Sequence, residues 1–124
     1  MADQDDQPSR PAADIDPHLL AFLRTRVNSF IKWDLVRFFH ENVNTVDTAE
    51  NIARYTGRDV SAIAPALQEL VEANILNKQD VSGITVYTLT SDEATRALIQ
   101  RFILACEDRQ FRVKAMYYMI RGMA

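Results

Sequence analysis

Residues 51–76, NIARYTGRDVSAIAPALQELVEANIL, decide how this chain folds. Just upstream, Asp47-Thr48-Ala49-Glu50 has capping-box spacing ahead of Ile52 and Ala53, so a short helix is expected to begin there. Gly57 ends it, because a residue without a side chain takes the left-handed conformation at no steric cost. Asp59 or Ser61 then caps a second helix, in which Ile63, Ala66, Leu67, Leu70 and Val71 recur at helical spacing to about Ala73. Pro65 lacks an N–H and fits best in a first turn, which predicts a helix that starts as late as Ser61 or bends near its N-terminus.

Outward from this pair, Ile75–Gln79 and Thr85–Thr90 read as strands around the turn formers Asp80-Val81-Ser82-Gly83, a two-stranded hairpin. Thr90-Ser91-Asp92-Glu93 repeats the capping-box spacing and opens a helical stretch to the C-terminus, with a break expected near Asp108 to Gln110. On the N-terminal side, Asp16-Pro17 caps a helix over about 17–27, and Asn28 or Ser29 starts a second through Phe30, Trp33, Leu35, Val36 and Phe39; one continuous helix from 17 to 41 is the alternative. Residues 1–15 are rich in Asp, Gln, Pro and Ala and read as a disordered acidic tail, leaving 16–124 as one domain.

The order helix, helix, tight turn, helix, hairpin, helix is similar to that of winged helix-turn-helix domains, and the likeness extends to residues. Ala53, Gly57 and Ile63 resemble the small residue, turn glycine and buried aliphatic of the bacterial transcriptional-regulator pattern: the first lets two helices cross closely, the second turns the chain, the third plugs the crossing. Leu67, Leu70, Asn74 and Ile75 resemble the end of a recognition helix, and Tyr87 to Thr90 the second strand of a wing. The resemblance spans roughly residues 30 to 92 and implies a mostly α (α+β) fold with a two-stranded wing and added N- and C-terminal helices.

Such domains, when they bind double-stranded DNA, lay the second helix in the major groove and touch phosphates with the wing. Carried onto this chain, Ser61 and Gln68 are the base-proximal candidates, and Arg54, Arg58 and Lys78 the phosphate contacts. Lys32, Arg37, Arg96 and Arg101 add to them only if the fold turns them the same way. The outer surface of the second helix itself holds Asp59, Glu69 and Glu72 and no Lys or Arg, the wrong sign for a phosphate backbone. Two functions therefore stay open: a DNA-binding transcriptional regulator, or a winged-helix module that binds a protein partner.

Composition narrows the rest. A chain of 124 residues, 48% apolar and 25% charged, supports one core. No window has the ~18 uninterrupted apolar residues of a membrane span, and the start lacks the basic and apolar regions of a secretory signal, so a cytoplasmic protein is expected. Residues 1–17 carry five Asp and one Arg, leaving 18–124 at +1 within a net charge of -3. One cysteine, Cys106, and two histidines, His18 and His40, form no metal-site spacing, and no catalytic set or phosphate-cradling loop occurs; neither enzyme activity nor a cofactor is expected. Cys106 reads as a small buried apolar residue, with redox sensing as the alternative. Phe111 to Arg121 interleaves Met and aromatic residues with Arg112, Lys114 and Arg121, and reads as core, as a membrane-surface helix or, the favoured reading, as a homodimer surface.

Overall fold

A computed structural model describes residues 15–123 of the chain. In order they form α1 (Pro17–Thr25), α2 (Phe30–Glu41), α3 (Ala49–Thr56), α4 (Val60–Glu72), β1 (Leu76–Val81), β2 (Ile84–Leu89), α5 (Glu93–Ala105) and α6 (Arg109–Met123). The fold is α+β and winged-helix-like: α2, α3 and α4 pack together, the antiparallel β1–β2 hairpin follows α4, and α1, α5 and α6 form a helical platform behind them. The tail expected over 1–15 lies outside the described residues except for Ile15. That residue is only 6% exposed and belongs to the core, so the folded part begins earlier than the composition suggested.

Two left-handed residues bracket α4. At Gly57 (φ 69°) the Arg58 N–H donates to the Ala53 carbonyl at 3.0 Å and the Gly57 N–H to the Arg54 carbonyl at 3.3 Å, the paired bonds of a Schellman stop. At Asn74 (φ 62°) the pattern repeats, with the Ile75 N–H on the Leu70 carbonyl at 2.9 Å and the Asn74 N–H on the Val71 carbonyl at 3.0 Å. Asn is among the few L-residues that tolerate this conformation. Between the stops, Ile63, Ala66, Leu67 and Leu70 bury one face of α4 against α2 and α3.

Local starts and stops differ from the sequence reading by small, explicable steps. Thr48, one residue later than expected, caps α3 by accepting from the Asn51 N–H at 3.2 Å, while Asp47 accepts from the Thr48 N–H at 2.8 Å and the Asn51 amide at 2.7 Å. Asp92, not Thr90, caps α5, accepting from the Thr95 N–H at 2.9 Å. Asp59 takes the cap position of α4 without a side-chain bond, and the helix starts at Val60 and continues through Pro65. The bond proline cannot make would end on the Ser61 carbonyl, in the exposed first turns where water can replace it. α1 ends at Thr25 and α2 restarts behind Ser29, which accepts from the Lys32 N–H at 3.2 Å, so 17–41 is not one helix. The hairpin is longer than predicted and its turn shorter: Ser82 and Gly83 both have positive φ, as a tight two-residue loop needs, and Val81 pairs with Ile84. An isolated bridge between Asp47 and Tyr87, unforeseen from the sequence, ties the start of α3 to the wing.

The platform closes around Phe102 of α5, which is fully buried and meets Phe22 of α1 and Trp33 of α2 edge-on, with ring centroids 5.5 and 5.3 Å apart. Arg26, just past α1, donates to the Ala73 carbonyl from Nε at 3.0 Å and from Nη2 at 2.7 Å, and so caps the end of α4 from the platform side. An added Cβ at Gly57 would meet nothing within 4 Å, so only backbone conformation opposes a side chain there. Gly57→Ala should therefore lower the unfolding free energy in urea by about 1–2 kcal/mol, and Gly57→Asn should recover most of that loss.

Candidate nucleic-acid interface

The exposed side of α4 runs through Ser61, Pro65 and Glu72, with Ala64 and the half-buried Gln68 between them on the same stripe. Helical spacing puts these residues on one side because the opposite side carries the buried Ile63, Leu67 and Leu70. Two of the predicted site residues are brought together: Lys78 of β1 donates to the Gln68 Oε1 at 2.9 Å, and the Gln68 amide reaches Glu72 at 3.3 Å. Ser61 lies exposed near the start of α4, about two helical turns from Gln68.

The two arginines divide. Arg54, in the last turn of α3, is exposed and carries no ion pair among the described residues, although its charge acts on Asp47. The Asp47 carboxyl is held below its ordinary value, first by the Asn51 amide, then by the Thr48 N–H and the Tyr55 hydroxyl. Arg58 instead turns back onto α2 and forms an ion pair with Asp34. Neither Asp34 nor its role was visible in the sequence, since residues 34 and 58 are joined only by the packing of α2 against the α3–α4 pair.

The further cations do not join this set. Lys32 is 8% exposed and clamps α2 to α4, with its ammonium 2.9 Å from the Asn28 Oδ1 and 2.5 Å from Glu69. Arg37 faces Glu41 at 3.7 Å, Arg96 donates to the Thr90 carbonyl at 2.7 Å, and Arg101 pairs with Asp16. Residues 47–90 thus set Arg54, Arg58 and Lys78 against six carboxylates. The tip of the wing is apolar, with the cross-strand neighbours Val81 and Ile84 both exposed.

Cys106 sits half-buried where α5 ends, and burial pushes its thiol up to about 11 in spite of the nearby Arg37 and Arg112. At pH 8 only about one thiol in a thousand would then be ionised, and the thiolate is the reactive form. Alkylation of Cys106 by iodoacetamide in the folded protein should run far slower than in urea-unfolded chain at the same pH.

No protein-family model and no curated protein matches the chain. Among solved structures it is similar to one described as a possible transcriptional regulator from Methanosarcina mazei Go1, at 18% identity over 73% of this chain and 78% of that one, with a TM-score of 0.51. The likeness is one of fold. No helix among the described residues is long and apolar enough to cross a membrane.

Proposed function

We propose that the protein is a transcriptional regulator that acts as a homodimer and meets double-stranded DNA through α4 and the wing. The observation that carries this reading is the exposed stripe of α4, with Gln68 and Lys78 held together at its middle and Arg54 and Arg58 at the turn before it. Gln offers the donor–acceptor pair that suits adenine, and the three cations suit phosphates. The description of the Methanosarcina structure as a possible transcriptional regulator supports the same direction. Engaging a phosphate requires Arg58 to leave Asp34, a partly exposed pair whose loss costs about 0–1 kcal/mol, less than one charge-assisted contact to DNA returns.

Two copies would bring two such modest basic sets onto one duplex. The platform supports this: α6 buries Ala115 and Met119 on one side and leaves Val113, Tyr117 and Ile120 exposed on the other, more apolar surface than a solvated helix needs. The carboxylate excess over residues 47–90 favours a second reading, a winged-helix module that binds a protein partner instead of DNA.

Anisotropy titration against random-sequence duplex separates the two. A regulator of the proposed kind should bind at ~50 mM salt and weaken steeply toward ~200 mM, with an Arg54→Ala/Arg58→Ala double variant lowering the slope of log K against log salt by about 2. No binding at ~50 mM salt would leave the protein-interaction module. Sedimentation should give twice the 14.2 kDa chain mass at tens of micromolar protein, and Ile120→Glu should return the mass to that of one chain.

A further inference from the structure

A pocket of about 390 Å³ lies where the end of α1 meets the last turns of α6, with none of the α4 stripe in its lining. Its volume falls within the ~300–1,000 Å³ usual for small-molecule sites. Leu23 and Met119, each 1% exposed, give it an apolar floor, and Arg24, Asn28, Tyr118 and Arg121 stand around them. Among the described residues no carboxylate borders this space.

What the lining offers is a set of donors. The Lys32 ammonium donates to the Asn28 Oδ1 at 2.9 Å, which occupies the amide oxygen and leaves the amide N–H groups without a partner among the described residues. Lys32 is itself paired with Glu69 at 2.5 Å, so that pair brings no net charge to the pocket. Arg24 stands over the Tyr118 ring at 5.3 Å and Arg121 over the Tyr117 ring at 5.7 Å, contacts that use up no hydrogen-bonding N–H. Arg121 spends one N–H on the Tyr117 hydroxyl at 3.2 Å, and Arg24 spends none; neither has an ion pair among the described residues. Two cations therefore share one pocket without a counter-charge, and the charge to be matched is two. A phosphate monoester supplies that charge as a dianion near neutral pH, with oxygens that suit the planar fork of a guanidinium.

We propose that this pocket binds a small phosphate monoester, its phosphoryl oxygens on Arg24, Arg121 and the Asn28 amide and its body against Met119 and Tyr118. The site stands apart from the regulator reading: the Val113, Tyr117 and Ile120 face of α6 is not in its lining, and its test needs no DNA. Tyr117 nonetheless holds Arg121 through its hydroxyl, so an occupant of the pocket and a second copy on α6 would meet at one arginine.

Calorimetric titration of the full chain with phenyl phosphate at fixed low ionic strength should show saturable binding to one site. The affinity should fall about tenfold or more in Arg24→Gln and in Arg121→Gln, as loss of a charge-assisted bond predicts. Arg109→Gln removes the same unit of charge from an exposed position at the start of α6 and should leave the affinity within about twofold. Benzylammonium, of similar size and opposite charge, should give no saturable heat. Each pocket arginine stands in the last turn of its helix, where a cation suits the carbonyl end. If that were its whole role, substitution would lower stability in urea and phenyl phosphate would not bind. Arg121 is exposed near the end of α6, so its variant serves if Arg24→Gln loses its fold. Heat that stays linear to about 20 mM phenyl phosphate, about twentyfold above a millimolar Kd, would overturn the proposal. So would unchanged affinity in either folded variant of the pocket arginines, or an equal loss in Arg109→Gln, which would mark attraction by net charge only.

Discussion

The left-handed stop at Gly57 is the constraint on which the arrangement rests. Within two residues it ends α3, satisfies the Ala53 and Arg54 carbonyls and starts α4 in a new direction, so that Ile63 enters the crossing and Ser61 faces outward. Asn74 applies the same geometry at the other end of α4 and sends the chain into β1. With both ends stopped, the only freedom left to α4 is rotation about its axis. Burial of Ile63, Leu67 and Leu70 removes that, since turning any of them to water costs about 1.5–3 kcal/mol.

The platform holds this unit by two different physical means. Phe102 joins α1, α2 and α5 through edge-on aromatic contacts that depend on area and shape. Arg26 and Lys32 act as fasteners, one on the Ala73 carbonyl at the end of α4 and one on Glu69 in its middle. Lys32 shows why a count of basic residues misleads: a cation that looks available for phosphate in a sequence is here mostly buried, and removing Glu69 would leave its charge unpaired. The charge that reaches solvent is divided, with carboxylates in excess over residues 47–90 and α6 carrying Arg109, Arg112, Lys114 and Arg121 with no acidic residue.

Much of the fold was legible along the chain because its signals are local. Glycine at 57, Ser82-Gly83, apolar spacing in α4 and α5, and the polar break before Arg109 all act over a few residues, and each element they announce exists. The caps at Thr48 and Asp92 fall a residue or two after the first acceptor of each run, because several acceptors stand in a row and only the chain's entry angle selects one. Of the site, Gln68 and Lys78 read in the sequence as separate DNA-contact candidates, and what joins them is the hairpin folding back on α4. Arg58 reads in the sequence as a phosphate contact while the fold gives it Asp34, a residue 24 positions away.

The sequence by itself determined the elements, their order and the winged-helix arrangement, since turn chemistry and hydrophobic period are properties of neighbouring residues. Tertiary structure alone decided which cations are spent, which face of α6 is left open and that Arg24, Asn28 and Arg121 border one pocket. Ion pairs and cavities are made between elements, where distance along the chain carries no information about distance in space.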